Sequence, residues 1–177
     1  MHRLFVAVRP PPDVRRQLLG LMGSVRGARW QAEDQLHLTL RFIGEVDRHR
    51  AHDLHAALGA VHHPAFAIAL NGLGVFDRRG GPVTLWAGIA PQEPLKALHN
   101  KVDQACLRVG VAPDRRAYFP HITLARLGRG AGPIQPLLES AGGIAGVPFR
   151  VEEFCLYESE LTPQGPIYSI VERYPIG

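Results

Sequence analysis

The sequence predicts an α+β fold: two pseudo-symmetric lobes of antiparallel sheet with flanking helices around a central cleft. Three observations lead there. Short apolar or alternating segments of strand length are spread along the whole chain. Amphipathic helical stretches lie between them, with short connections. One strand-like tetrapeptide pattern, His-x-Thr-Leu, occurs at 37–40 and again at 121–124, each time after a helical segment and a loop.

The first strand is Leu4 to Val8, a compact apolar run closed by Arg9 and three prolines. A helix is expected from Pro12 to about Val25, with Asp13 in its first turn and Val14, Leu18, Leu21 and Met22 on one face. Leu36 to Ile43 alternates as a strand. Asp47 is placed to cap a helix through about Val61, with Leu54, Ala57, Leu58 and Val61 inward. Strands are expected at Phe66 to Leu70 and Val83 to Ile89, separated by a glycine-rich loop at 78–82. Pro91 to about Val109 sets Leu95, Leu98, Val102, Ala105, Cys106 and Val109 on one helical face. Phe119 to Arg126 is the second alternating strand, and a short helix fits Ile134 to Ala141. Strands at Val147 to Tyr157 and Ile167 to Arg173 complete the pattern. No linker or low-complexity tail interrupts it, so residues 1–177 are expected to form a single two-lobed domain.

Composition narrows the function. Hydrophobic residues are 46% and charged residues 20%, the balance of a soluble globular protein. No segment is long and apolar enough for a membrane span, and the first apolar run is too short for a signal peptide. Cys106 and Cys155 each sit in apolar surroundings and read as buried free thiols, which suits a reducing cytoplasm. The net charge of +4 is mildly basic, and only Lys96 and Lys101 are lysines. Arginine grips phosphate through a planar fork, so the composition is compatible with a phosphate ligand without requiring one.

The repeated motif carries the chemistry. The chain has nine histidines and four threonines, a composition from which roughly 0.02 His-x-Thr-Leu matches arise by chance. On a strand, residues i and i+2 share a face. His37 therefore sits beside Thr39, with Leu38 and Leu40 behind, and His121 beside Thr123, with Ile122 and Leu124 behind. If the lobes face one another, two imidazoles and two hydroxyls meet in one small volume. In-line displacement at phosphorus needs a base at the entering oxygen and an acid at the leaving one. Histidine serves either role near neutrality, and the hydroxyls can donate to the non-bridging oxygens. This scheme calls for no metal and no cofactor.

These residues resemble the motifs of the two-histidine phosphoesterases, most closely the bacterial and archaeal RNA 2′,3′-cyclic phosphodiesterases first described as 2′-5′ RNA ligases. Arg3 to Val8, Trp30, His37 to Val46, Trp86-Ala87-Gly88, Phe119 to Arg126, Tyr157-Glu158-Ser159 and Gly165 to Tyr168 all resemble family segments, so the likeness spans most of the chain. It implies a bilobal fold with a cleft, acting on RNA ends or small 2′,3′-cyclic nucleotides and leaving a 2′-phosphate, with some members also joining or cleaving 2′-5′ linkages, opposite directions of similar chemistry. His37 and His121 map onto the catalytic pair and Thr39 and Thr123 onto the threonines. Arg126 maps onto an arginine beside the nucleotide. His37 is assigned to protonate O3′ and His121 to activate water.

Arg126 and Phe42 lie five residues after their histidines, an odd offset that points away from the cleft unless the strand bends. Both are retained as substrate-binding candidates. Arg115, Arg116 and Arg129 flank the second motif and can steer RNA. Tyr118, Trp86, Phe76 and Tyr157 are candidate stacking platforms. His49, His52 and His55 have the spacing of a helix surface and lack a converging carboxylate or thiolate, which disfavours a metal-dependent hydrolase. A non-catalytic RNA-binding module is the alternative, but a binder has no need of two imidazoles. A monomer is expected.

Overall fold

The computed structural model describes residues 1–177. Nine strands and four helices alternate as β1 (His2–Val8), α1 (Pro12–Leu19), β2 (Arg29–Trp30), β3 (Leu38–Val46), α2 (Arg48–Gly59), β4 (Phe66–Arg78), β5 (Gly81–Ala90), α3 (Glu93–Arg108), β6 (His121–Arg126), α4 (Gln135–Ala141), β7 (Phe149–Val151), β8 (Glu153–Thr162) and β9 (Gly165–Pro175). The strands form one sheet in the order β7-β4-β5-β6-β3-β1-β8-β9, and β2 pairs with β6. Every pairing is antiparallel.

Apart from the short β2, the sheet has two halves of four strands each. In one, β3 and β1 lead out to the β8–β9 hairpin; in the other, β6 and β5 lead out to β4 and β7. The halves meet at a single register pair, Leu38 opposite Ile122. The helices pack crosswise. α3 follows β5 but packs against β3 and α2. α1 follows β1, yet its Gln17 reaches the Ala145 carbonyl next to β4. α3 thus crosses to cover the other half, and the Gln17 hydrogen bond links α1 to the segment beside β4.

The main core lies between the sheet and the helices. Leu38, Leu40, Ile122, Leu124, Leu54, Leu58, Leu95, Leu98 and Val102 are all in it. A second, smaller apolar cluster covers the opposite face of the first half: Phe5, Ala7, Cys155 and Tyr157, with Tyr168 and Ile170 against it. Both cysteines are free and buried, and burial pushes each thiol up to about 11.

The helices start close to where the sequence puts them. Asp47 accepts a hydrogen bond from the Arg50 amide and caps α2. α1 stops at Leu19, short of the expected Val25, because the chain turns through Gly23 in the left-handed region, φ 81°. The largest difference lies at 78–82. The expected loop is a tight hairpin: Arg78 pairs with Gly81, and Gly80 and Gly81 take φ of 104° and 120°. β4 therefore runs thirteen residues, well beyond the expected end at Leu70. The segment expected as one strand from Val147 to Tyr157 divides into β7 and β8, which join different halves.

Ile122 is fully buried at the register pair between the halves. Ile122→Ala is expected to cost about 2–5 kcal/mol in a denaturant titration.

Candidate active site

The Leu38–Ile122 pair sends both of its side chains into the helix-side core. Strand alternation then turns positions 37, 39, 121 and 123 to the other face. His37 and Thr39 flank that pair on the β3 side, and His121 and Thr123 on the β6 side. The two imidazoles are close enough for the charge of His121 to bear on His37. All four side chains are partly exposed. The hydroxyls of Thr84 and Thr162 are engaged within the protein; those of Thr39 and Thr123 have no partner in the chain.

The two imidazoles are held identically. His37 Nδ1 lies 2.7 Å from the Gln35 carbonyl, and His121 Nδ1 lies 2.7 Å from the Phe119 carbonyl, each two residues upstream. A carbonyl only accepts, so Nδ1 carries the hydrogen and Nε2 is left free as the reactive nitrogen. Aromatic rings fix each ring plane. Phe5 lies 4.9 Å and Tyr168 5.4 Å from His37. Phe76 lies 4.9 Å from His121, with Trp86 and Phe119 just beyond 6 Å. Gly74 makes room for Trp86: a Cβ there would lie 2.3 Å from the indole.

Burial disfavours the imidazolium at both positions. His37 is lowered to about 4, chiefly by burial, then by the His121 and Arg126 charges, against a raising contribution from the Gln35 carbonyl. His121 is lowered by burial and Arg126, again against its carbonyl partner. Both rings therefore favour the neutral form at pH 7.

β-Bulges bring the two odd-offset residues into the site. Between β5 and β6 the register slips by one, so Trp86 faces Thr123 while Leu85 faces Ala125. Leu124 and Ala125 both turn into the core, and Arg126 comes out on the face of His121. Its guanidinium donates to Thr84 Oγ1 at 3.2 Å. β3 repeats the device. Ala7 faces Thr39 while Val6 faces Arg41, Leu40 and Arg41 turn inward, and Phe42 comes out 40% exposed. Phe42 thus occupies in β3 the position of Arg126 in β6. The Arg3 guanidinium lies 5.5 Å over its ring.

Side chains behind β3 hold its bulge. Arg41 is buried, pairs with Asp103 at 2.7 Å and donates to the Phe42 and Ala112 carbonyls. His99 Nδ1 donates to the Leu40 carbonyl, and Tyr118 donates to the Thr39 carbonyl at 2.9 Å while stacking on His99 at 4.0 Å. Tyr118 is therefore a brace behind Thr39 and not a stacking platform. Arg116 is engaged by Asp114. Trp86, Phe76 and Tyr157 do lie in the aromatic walls. Sequence reasoning misses Phe5 and Arg3 as site residues, because only the β1–β3 register shows that they flank the motif. His49, His52 and His55 stay on the exposed side of α2, and no three His, Cys, Asp or Glu side chains converge on a common point. No helix is long and apolar enough to cross a membrane.

The profile of the 2′-5′ RNA ligase superfamily matches residues 10–163. The chain belongs to that superfamily. Relatives of this superfamily member include an RNA 2′,3′-cyclic phosphodiesterase of Geobacillus stearothermophilus, 32% identical over 97% of the chain, although the chain spans only 56% of that relative's length. The RNA 2′,3′-cyclic phosphodiesterase of Thermus thermophilus is 34% identical over 98% of the chain and 90% of the relative. A crystal structure of Escherichia coli LigT complexed with 3′-AMP superposes with a TM-score of 0.81 at 27% identity, over 99% of this chain and 98% of that one.

The proton affinities generate a direct expectation. In an NMR titration, the His37 ring is expected to titrate at about 4 and the His121 ring below the ordinary histidine range. The His37 proton binds more readily in the unfolded chain, so its burial supports the fold above about pH 6.5. That support is lost as the pH falls toward 4. Inorganic phosphate is expected to move both midpoints upward, because an anion in the cleft favours imidazolium. Midpoints that stay at 6.5 without phosphate would contradict the burial of the two rings.

Proposed function

We propose that the protein hydrolyses terminal 2′,3′-cyclic phosphates of RNA to 2′-phosphates by acid–base catalysis between His37 and His121, without a metal ion. The observation that carries the proposal is the convergence of two identically anchored imidazoles, each with an open threonine hydroxyl, on one side of the Leu38–Ile122 junction. The phosphodiesterase names of the relatives and the 3′-AMP complex of a structural neighbour support the substrate class.

The phosphorus sits between the two Nε2 atoms. Thr39 and Thr123 donate to the non-bridging oxygens, and Arg126 offsets their charge. With O3′ beside His37, His121 takes a proton from water as the oxygen–phosphorus bond forms. The P–O3′ bond breaks in line, and His37 delivers its proton to O3′. One water is consumed, and the product carries a 2′-monoester and a free 3′-hydroxyl. With a 5′-hydroxyl in place of water, the same ring opening joins a 2′-5′ linkage as P–O3′ breaks; its reverse, in which O3′ attacks and the 5′-oxygen leaves, cleaves one. The protein by itself holds His37 more firmly neutral than His121, the opposite of what the acid role needs. The bound phosphodiester anion supplies what is missing, since its charge favours a proton on the neighbouring ring.

His37→Ala and His121→Ala are each expected to lower hydrolysis of a 2′,3′-cyclic-phosphate RNA by at least ~10²-fold, with a bell-shaped pH–rate profile in the parent enzyme. Thr39→Ala and Thr123→Ala are milder, about 10-fold, because water partly replaces a hydroxyl donor. The assay includes a chelator. Near-normal turnover by either alanine variant at His37 or His121, a 3′-monoester product, or activity that chelator abolishes and a divalent metal restores refutes the proposal.

A further inference from the structure

Six arginines of this chain, Arg15, Arg16, Arg41, Arg116, Arg150 and Arg173, form ion pairs with carboxylates. Among those that pair with none, Arg29, Arg79, Arg126 and Arg129 are all exposed and gather where β5 begins and β6 ends.

Arg29 on β2 stands directly opposite Arg126 on β6. Directly opposed residues in an antiparallel pair point to the same face, and like charges there are unfavourable unless an anion lies between them. Arg126 already shares its face with His121, so Arg29 extends that positive edge away from the cleft. One residue further, the Leu127 amide donates to the Val83 carbonyl, and an open groove of about 560 Å³ begins. Its walls are the β4–β5 turn and the glycine-rich segment after β6. Arg79 lines one wall and Arg129 the other. The acidic residue of that hairpin, Asp77, is exposed on the β4 strand and pairs in register with Pro82; it makes no ion pair with these arginines. Along the β6 backbone, His121 and Arg126 are five steps apart, on the order of 16 Å at strand spacing, and the Arg126 charge still bears on both imidazoles. The groove begins beyond Arg126, so a single nucleotide seated between the histidines meets Arg126 but not Arg79 or Arg129.

We propose that Arg29, Arg79 and Arg129 form a phosphate track for the RNA strand leading into the cleft, so that the enzyme prefers oligonucleotides ending in a 2′,3′-cyclic phosphate to cyclic mononucleotides. This rests on the phosphodiesterase reading and adds the part of the substrate that the catalytic residues do not touch. The contacts are to backbone phosphates and carry no base preference.

The test compares kcat/KM for a short RNA ending in a 2′,3′-cyclic phosphate with that for 2′,3′-cyclic AMP, across a salt series. The parent enzyme is expected to favour the oligonucleotide, with a salt dependence that the mononucleotide lacks. Arg79→Ala/Arg129→Ala is expected to lower kcat/KM for the oligonucleotide about 10-fold through KM, and to flatten the log–log salt slope by about 0.7 for each phosphate no longer neutralised. Turnover of 2′,3′-cyclic AMP stays at the parent level. Arg150→Ala, on β7, changes the net charge by one unit and is expected to leave both substrates unaffected. Equal loss on both substrates, no loss on the oligonucleotide, or a matching loss from Arg150→Ala overturns the track. If the parent protein turns over neither substrate, the catalytic proposal fails by itself. Fluorescence anisotropy with a 2′-phosphate-ended oligonucleotide then decides the track: binding weakened in the double variant supports it, and unchanged binding overturns it.

Discussion

One cross-strand pair organises the site. Leu38 and Ile122 stand where the halves of the sheet meet, and both are buried to 1% exposure or less. Because strand side chains alternate, burying these two residues forces their four neighbours onto the opposite face. The hydrophobic effect thereby aims the polar groups: a slip of one residue at this junction would bury the imidazoles and expose the leucine and isoleucine. The tetrapeptide pattern is best understood as one unit, with the apolar residues setting the register that the histidine and threonine require.

The same apolar demand explains the bulges. After Thr39 and Thr123 the alternation breaks, since two consecutive residues turn inward in each strand: Leu40 with Arg41, and Leu124 with Ala125. The extra inward residue shifts the parity of the rest of each strand, and Phe42 and Arg126 come out on the cleft side. In β6 the inward pair is apolar. In β3 it includes a buried guanidinium, compensated by Asp103 and two carbonyls. A charge buried with that many partners holds a specific backbone geometry more firmly than a methyl group, because the planar fork of donors accepts only a narrow range of acceptor positions.

These facts also mark how far the sequence can be read. The lobes, most elements, and the convergence of His37, Thr39, His121 and Thr123 follow from alternation and repetition, which are local signals. The bulges do not. Strict alternation points Phe42 and Arg126 away from the cleft, and resemblance, not geometry, makes Arg126 a substrate contact at the level of sequence. Parity after a bulge depends on what a neighbouring strand pairs with, and β1 and β5 are distant in sequence. For the same reason the sequence leaves Tyr118 open between a stacking platform and ordinary packing: its packed role is set by the carbonyl of Thr39 on another strand. The hairpin at 78–81 is hidden for a different reason. Glycines signal a break in the chain, but whether the break is a loop or a two-residue turn depends on the strands extending to meet it.

The symmetry of the two histidines bears on how catalysis begins. Each ring donates from Nδ1 to a carbonyl and is surrounded by aromatic side chains, so each is by construction a neutral imidazole with a free Nε2. Two such rings by themselves supply two bases and no acid. In the proposed mechanism a phosphodiester between them changes that balance, because its negative charge stabilises an imidazolium next to it. Proton uptake would then be linked to substrate binding, and the acid would exist only when there is a leaving group to receive its proton. The two rings share their anchoring but not their proton affinity, since His37 is pushed down to about 4 and stands the further from an acid. In the proposed mechanism, the orientation of the ribose, with O3′ toward His37 and water toward His121, must therefore assign the roles.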